Sequence, residues 1–221
     1  MDLDTRLNHP LTAMVSGQTG SGKTVWTRSF LRYFNTLTNH EGAVNVLWVY
    51  GQYQPVYNRQ IENVNIRYTE SFPDEEELTA LRPTVVVIDD LMTRVADDVR
   101  LAETFTKLSH HLNISVVFIV QNLFYKGKYM RTISLNCHLI VLMNNIRDVG
   151  QMLALGRQIY PSDTSFFKAV LFDALKTHTD SKYPYLLINV QPGSDERTRL
   201  STRVFPFESQ SGLSQPIYYL K

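Results

Sequence analysis

The sequence predicts an α/β fold, a mostly parallel β-sheet flanked by helices on both faces. Three observations carry this expectation. Apolar runs at 85–88 and 116–120 are continuous rather than alternating, as strands covered on both faces require. Such runs alternate along the chain with segments whose apolar residues recur at helical spacing. Several of them end in glycines or polar residues, where open parallel sheets place their ligands. The 221 residues suit one domain with a core that needs neither disulfides nor metals. We expect that domain over 1–207, followed by a loose polar tail over 208–221.

The first element is a short apolar strand over 11–15, which runs into a glycine-rich stretch. The helix behind it carries Val25, Trp26, Phe30, Phe34 and Leu37 on one face. Residues 43–50 are β-branched and aromatic, a second strand. The chain then turns over 51–57, where Pro55 blocks continuation, and 64–68 give a short strand. The acids after Ser71-Phe-Pro-Asp74 occupy the first turn of a helix, where its dipole favours them. Strands over 82–90 and 114–120 flank a helix over 94–111, marked by Val95, Val99, Ala102, Phe105 and Leu108. Residues 123–136 read as a basic, aromatic connection to a strand over 138–143. Helices over 147–158 and 163–176 are separated by Pro161-Ser162. Strands over 185–190 and 198–205 are joined by the turn-forming Pro192-Gly-Ser-Asp195.

Composition excludes several classes. The formal net charge is +1, so any nucleic-acid contact must come from local patches. Cys137 is the only cysteine, which rules out an intramolecular disulfide and a cysteine-based zinc cluster; its apolar neighbours mark it as a buried residue. The start, Met1-Asp-Leu-Asp-Thr, is acidic and reads as no signal peptide. The apolar runs fall far short of the roughly 20 residues of a membrane span. An intracellular protein with no membrane partner is expected. His110-His111 close a helix, where such residues are favourable, and imply no metal.

Residues Gly17-Gln18-Thr19-Gly20-Ser21-Gly22-Lys23-Thr24 match the phosphate-loop pattern G-x-x-x-x-G-K-[ST]. Such a loop must turn successive backbone N–H groups inward around an anion, and Gly17, Gly20 and Gly22 permit the angles and the close approach. The following helix turns its free N–H groups and positive dipole end on the same anion. Lys23 adds a charge near the β/γ-phosphates, and Thr24 a hydroxyl ligand for Mg²⁺. The expected ligands are therefore ATP and Mg²⁺. Two further strand ends fit this chemistry. Val85-Val-Val-Ile-Asp89-Asp90 delivers two carboxylates, Asp89 to hold Mg²⁺ and Asp90 to orient or deprotonate the attacking water. Gln121, ending the next apolar run, is placed to sense the γ-phosphate.

With Gly17–Thr24, Asp89-Asp90 and Gln121 in that order, the chain resembles the FtsK–HerA superfamily of pumping ATPases, with its RecA/FtsK-like P-loop NTPase fold. More narrowly it resembles the DNA-packaging ATPases of poxvirus-like and Polinton/adintovirus-type double-stranded DNA viruses. The runs Phe118-Ile-Val-Gln-Asn122-Leu-Phe, Arg131-Thr-Ile-Ser-Leu-Asn136, Asn144-Asn-Ile-Arg-Asp148 and Gly156-Arg-Gln-Ile-Tyr-Pro161 carry the narrower likeness, which covers roughly 11–190. One departure is Asp90, where the superfamily commonly has Glu.

The resemblance implies an ATP-driven homo-oligomeric ring that threads double-stranded DNA into a capsid, with capsid or portal proteins as partners. It further implies a location in the virion or in the host cytoplasm or nucleus. A neighbouring subunit would supply an arginine to the transferring phosphoryl group; Arg131 is the favoured candidate, ahead of Arg157 and Arg147. Lys126, Lys128 and Arg131, interleaved with aromatics, are positioned to track a DNA backbone without reading bases. Arg197, Arg199 and Arg203 are weaker candidates for the same task. Few acids follow Val190, so no nuclease is expected. Two alternative functions are a small-molecule P-loop kinase and a nucleotide-gated scaffold that hydrolyses little.

Overall fold

In a computed structural model, which describes residues 4–91, 98–176, 182–208 and 217–218, the continuous apolar runs form the centre of a nine-stranded sheet. Its strands are β1 (Thr12–Ser16), β2 (Val44–Tyr50), β3 (Val64–Thr69), β4 (Val85–Asp89), β5 (Ser115–Val120), β6 (Leu139–Met143), β7 (Tyr185–Asn189), β8 (Leu200–Ser201) and β9 (Ile217–Tyr218). They lie in the order β3-β2-β4-β5-β1-β6-β7-β8-β9. Neighbours from β3 to β6 pair in parallel, and β7, β8 and β9 extend the sheet antiparallel.

Side chains alternate between the two faces of each strand, and both faces are covered. On one, Met14, Ile88, Phe118 and Leu142 pack with helix residues Phe105, Ile133, Met152 and Phe167. On the other, Val15, Val87, Ile119 and Val141 pack with Trp26, Phe30 and Phe34. Burying a side chain of this size contributes about 1.5–3 kcal/mol relative to exposure. The first face is covered by α3 (Glu75–Leu81), α4 (Val99–Glu103), α6 (Met130–Leu135), α7 (Val149–Ile159) and α8 (Thr164–Ala174). The second is covered by α1 (Lys23–Arg32) and α2 (Phe34–Leu37). The α/β expectation holds.

Several local expectations need correction. Val25 is 44% exposed and does not share the buried face of Trp26 and Phe30. The first helix breaks at Tyr33, after which α2 starts again. The helix expected from residue 94 is described only from its cap at Asp98; it passes through a π-turn at Thr104–Leu108 into α5 (Ser109–His111), and residues 92–97 lie outside the described residues. The connection 123–136 contains α6, hidden among its basic residues. The strand expected over 198–205 shrinks to β8, because Arg203 takes a left-handed φ of 49° and cannot continue an extended run.

The tail expected from Glu208 is not loose where it is described. Glu208 is buried and accepts the Tyr185 hydroxyl at 2.7 Å, and β9 pairs with β8. Residues 209–216 and 219–221 of that tail lie outside the described residues. No helix among the described residues is long and apolar enough to cross a membrane. Cys137 is buried, as its neighbours implied, and burial pushes its thiol pKa up.

Candidate functional site

β1, at the middle of the sheet, ends in the glycine loop, and its last turn is tied to the neighbouring strand by the Gly17 N–H donating to Val120 O at 3.3 Å. Gly20 and Gly22 take φ values of 82° and 96°, the left-handed region that glycine enters at little cost. Gly22 caps α1 with no side chain, so the first-turn N–H groups face the loop. Ser21 Oγ is buried there without a hydrogen-bond partner. Lys23 curls back, donating from Nζ to Gly17 O at 2.6 Å and Gln18 O at 3.0 Å. Burial lowers its pKa, and Asp89 and Asp90 pull the other way.

β4 lies two strands from β1 and delivers both carboxylates. Asp89 is 2% exposed, and burial pushes its pKa up to about 6 against a hydrogen bond from Tyr57. The Tyr57 hydroxyl donates to Asp89 Oδ2 at 2.9 Å, and Thr24 Oγ1 stands 3.5 Å from the same oxygen. Thr24 and Asp89 thus bring a hydroxyl and a carboxylate together, a hard oxygen pair that fits Mg²⁺, which commonly takes one or two carboxylates plus phosphates. No group of three or more His, Cys, Asp or Glu capable of holding a metal occurs among the described residues, so a cage built wholly of protein is not found among them.

Asp90 takes a left-handed φ of 54°, uncommon for a residue with a side chain. Its Oδ1 accepts from Gln121 Nε2 at 3.2 Å. The Asp90 backbone is backed by Gly51 at the end of β2. The Gly51 N–H donates to Asp89 O at 2.9 Å, and a Cβ on Gly51 would stand 2.3 Å from Asp90 O. Asp89, Asp90 and Gln121 line a cleft of about 250 Å³ with the loop residues Thr19, Gly20, Gly22, Lys23 and Thr24. Gln54 and Tyr183 stand at its flanks. A second cavity, lined by Phe30, Leu37, Leu187 and Val204 among others, has about 20 Å³, room for roughly one water, and no titratable side chain.

The structure therefore brings together the loop, Asp89, Asp90 and Gln121, as their positions at strand ends anticipated. It does not bring the arginines. Arg131 on α6, Arg147 after β6 and Arg157 on α7 are exposed, and none lines the cleft. Lys126 and Lys128 are exposed on the segment between Leu123 and Met130, whose side chains are buried. Lys128 Nζ stands 5.1 Å from the Tyr129 ring. Arg197 and Arg199 are engaged by Asp195 and Glu196.

Sequence reasoning missed Tyr57, Gly51, Gln54 and Tyr183. The one signal for the first was tyrosine density: Tyr50, Tyr53, Tyr57 and Tyr68 form an aromatic cluster, with Tyr57 stacked on Tyr68 at 5.1 Å.

No protein-family model matches the chain, and no curated protein does. Solved structures do match in fold. The genome packaging NTPase B204 from Sulfolobus turreted icosahedral virus 2, in complex with ATP-gammaS, superposes with a TM-score of 0.53 at 14% identity, over 82% of this chain and 93% of that one. Its complex with sulfate gives 0.53 at 15% identity, over 81% and 91%. B204, the DNA-packaging ATPase from Sulfolobus Turreted Icosahedral Virus, gives 0.54 at 13% identity, over 83% and 94%. At these identities the likeness is one of fold: this chain has the P-loop NTPase architecture that those proteins share.

Proposed function

We propose that this chain is an ATP-hydrolysing motor of the FtsK–HerA type that moves double-stranded DNA into a viral capsid as a homo-oligomeric ring. One observation carries the enzymatic part: Asp89, Asp90 and Gln121 end neighbouring strands on one side of the phosphate loop, with Asp90 and Gln121 bonded to each other. The packaging part is supported by the fold shared with the viral packaging NTPases and by the stretches between Gln121 and Pro161 that resemble packaging ATPases.

In this reading the loop N–H groups and the α1 N-terminus bind the triphosphate. Lys23 exchanges the carbonyls of Gly17 and Gln18 for phosphate oxygens, a charge-assisted and therefore stronger bond. Thr24 and Asp89 hold Mg²⁺, which when bound offsets phosphate charge. Asp90 accepts the proton of the attacking water, and Gln121, already bonded to Asp90, orients that water or reads the γ-phosphate. Because Arg131 stays outside its own cleft, its reading as the phosphoryl-stabilising arginine requires a neighbouring subunit. Lys126 and Lys128 contact the DNA backbone. Such a motor acts inside the host cell or the virion, beside a capsid or portal partner.

The test is the ATPase rate of the purified chain with and without long double-stranded DNA, together with its mass under ATP. The proposal expects DNA stimulation, an oligomer, and loss of both turnover and packaging in Asp90→Asn. No stimulation from a monomer would overturn it. Turnover that requires a small acceptor would instead identify a kinase, and assembly that survives Asp90→Asn a scaffold.

A further inference from the structure

The sheet order divides the cleft into two sides. Asp89 and Gln121 end β4 and β5, on one side of β1; β6 and β7 lie on the other. The phosphate loop abuts that second side, since a Cβ on Gly17 would stand 2.9 Å from the Met143 Cβ at the end of β6. The cleft runs from Asp89 and Gln121 past the loop to the β6 and β7 side, which gives a triphosphate whose terminal phosphate lies by those two residues a path in that direction. Tyr183 stands there. It precedes β7, whose Tyr185 pairs with Met143. Its side chain packs directly over Gly22, with ring Cγ 2.4 Å from where a Gly22 Cβ would be, and it lines the same cleft. Val25, 44% exposed on the first turn of α1, is the other apolar surface of the cleft on that helix.

The geometry points to Tyr183 as the stacking platform for the base of a nucleoside triphosphate, with Val25 as the apolar wall beside it. This deepens the nucleotide reading above and rests on it. It also accounts for two features that the triphosphate chemistry leaves unused, an exposed valine in the first helical turn and an aromatic ring laid on the phosphate loop. The Tyr183 ring carries the Lys182 ammonium 5.3 Å from its centroid. The exposed Lys182 ammonium is held over this half-buried ring more weakly than a stacked base, so a base displaces it. Stacking uses the π-face common to all bases, so the platform binds bases without selecting one.

Calorimetric titration with ATP-gammaS and with inorganic tripolyphosphate, both with Mg²⁺, separates the base from the phosphates. Tyr183→Leu keeps an apolar side chain over Gly22 and removes the ring. It is expected to weaken ATP-gammaS by on the order of tenfold while tripolyphosphate stays within about twofold, and Tyr183→Phe should bind both as the wild type does. Equal weakening of both ligands would overturn the inference, because Tyr183 would then only support the loop. Unchanged ATP-gammaS affinity in Tyr183→Leu would overturn it as well, leaving the nucleotide reading intact. A wild-type chain that binds neither ligand would overturn the nucleotide reading itself, and this inference with it.

Discussion

Gly51→Ala is a substitution outside the phosphate loop that reaches the proposed chemistry through one backbone contact. The added Cβ would stand 2.3 Å from Asp90 O and 3.1 Å from Asp90 C, where real Cβ contacts keep at least 3.0 Å. The Asp90 peptide must therefore retreat by roughly 0.7 Å. It has little freedom to absorb this elsewhere. Asp90 already sits at a φ of 54°, and the preceding carbonyl is fixed by the Gly51 N–H at 2.9 Å. Gly51 itself is not in the left-handed region, so the effect is steric and not a matter of backbone preference. A shift of that size carries the Asp90 carboxylate out of hydrogen-bond range of Gln121, now 3.2 Å away.

Misplacing a catalytic group by about 1 Å costs about 10²-fold in rate, so kcat for phosphate release should fall by about 10- to 100-fold. Overpacking of this kind costs about 1–3 kcal/mol of stability, or roughly 2–4 °C of Tm per kcal/mol for a chain this long. ATP affinity should stay within about threefold, because the loop, Lys23 and Thr24 are untouched. Gly150→Ala, with open space around its Cβ, is the matched control. A folded Gly51→Ala protein with wild-type kcat would refute the placement of Asp90 as the group that acts on water.

Three other variants probe the loop, the helix packing and the pH dependence. Lys23→Ala removes the charged donor now held by Gly17 and Gln18. ATP binding should weaken by about 10- to 100-fold, as charged hydrogen bonds of about 1.5–3 kcal/mol imply, and turnover should vanish while the thermal melt is kept; normal turnover would mean the loop is misassigned. Gly156→Ala would set a Cβ 2.1 Å from the ring of Phe167, itself buried between α7 and α8. Stability should drop by about 1–3 kcal/mol, and Phe167→Leu should recover part of it; a melt unchanged in the single variant contradicts the packing. His9, half-buried beside Ser115 with Nδ1 2.8 Å from its hydroxyl, has its pKa lowered to about 4 by burial and then by His40. Folding favours its neutral form, so its contribution is complete above the ordinary 6.5 and is lost as pH falls from there through 4. After allowance for solvent screening of a half-exposed ring this amounts to about 1–2 kcal/mol. His9→Gln should flatten the urea-unfolding free energy across that window, and an equally steep slope would reject the assignment.

The central strands were legible because burial on both faces leaves a signature that short windows contain. Residues 85–88 and 116–120 have no polar position to alternate with, and nothing but a covered strand fits so short an apolar run. The margins were less legible because pairing, not propensity, decides them. The extended look of 198–205 ends at Arg203, whose left-handed φ no local pattern announces. Ile217 and Tyr218 look like the end of a polar tail until β8 offers an edge to pair with. The helix at Met130–Leu135 was hidden for a related reason: only Met130 and Ile133 face the core, too few to set a period.

In the site, the same distinction separates residues marked by their own stretch of chain from residues placed by the sheet. Gly17 to Thr24 announce themselves because the loop must satisfy its own geometry within eight residues. Asp89, Asp90 and Gln121 are visible because each ends an apolar run, and a parallel sheet collects such ends along one edge. Tyr57 and Gly51 have no such mark. Their roles arise only because β2 pairs with β4, which sets Tyr50 beside Asp89 and brings the chain after β2 onto the two carboxylates. Tyr183 depends on a still less local fact, that β7 enters antiparallel beside β6 and so starts, instead of ending, at the edge where the loop lies. Strand order therefore does more than position the phosphate chemistry. By placing the acids on one side of β1 and the start of an antiparallel strand on the other, it supplies the direction that the proposed nucleotide takes, with its reacting end toward Gln121. The chain that leaves Gln121 passes the buried Leu123, is held at Phe124 by Gln151 at 2.9 Å, and exposes Lys126 and Lys128 before Met130 is buried again. The residue proposed to read the γ-phosphate and the lysines proposed to meet DNA thus belong to one short segment, held at Leu123, Phe124 and Met130.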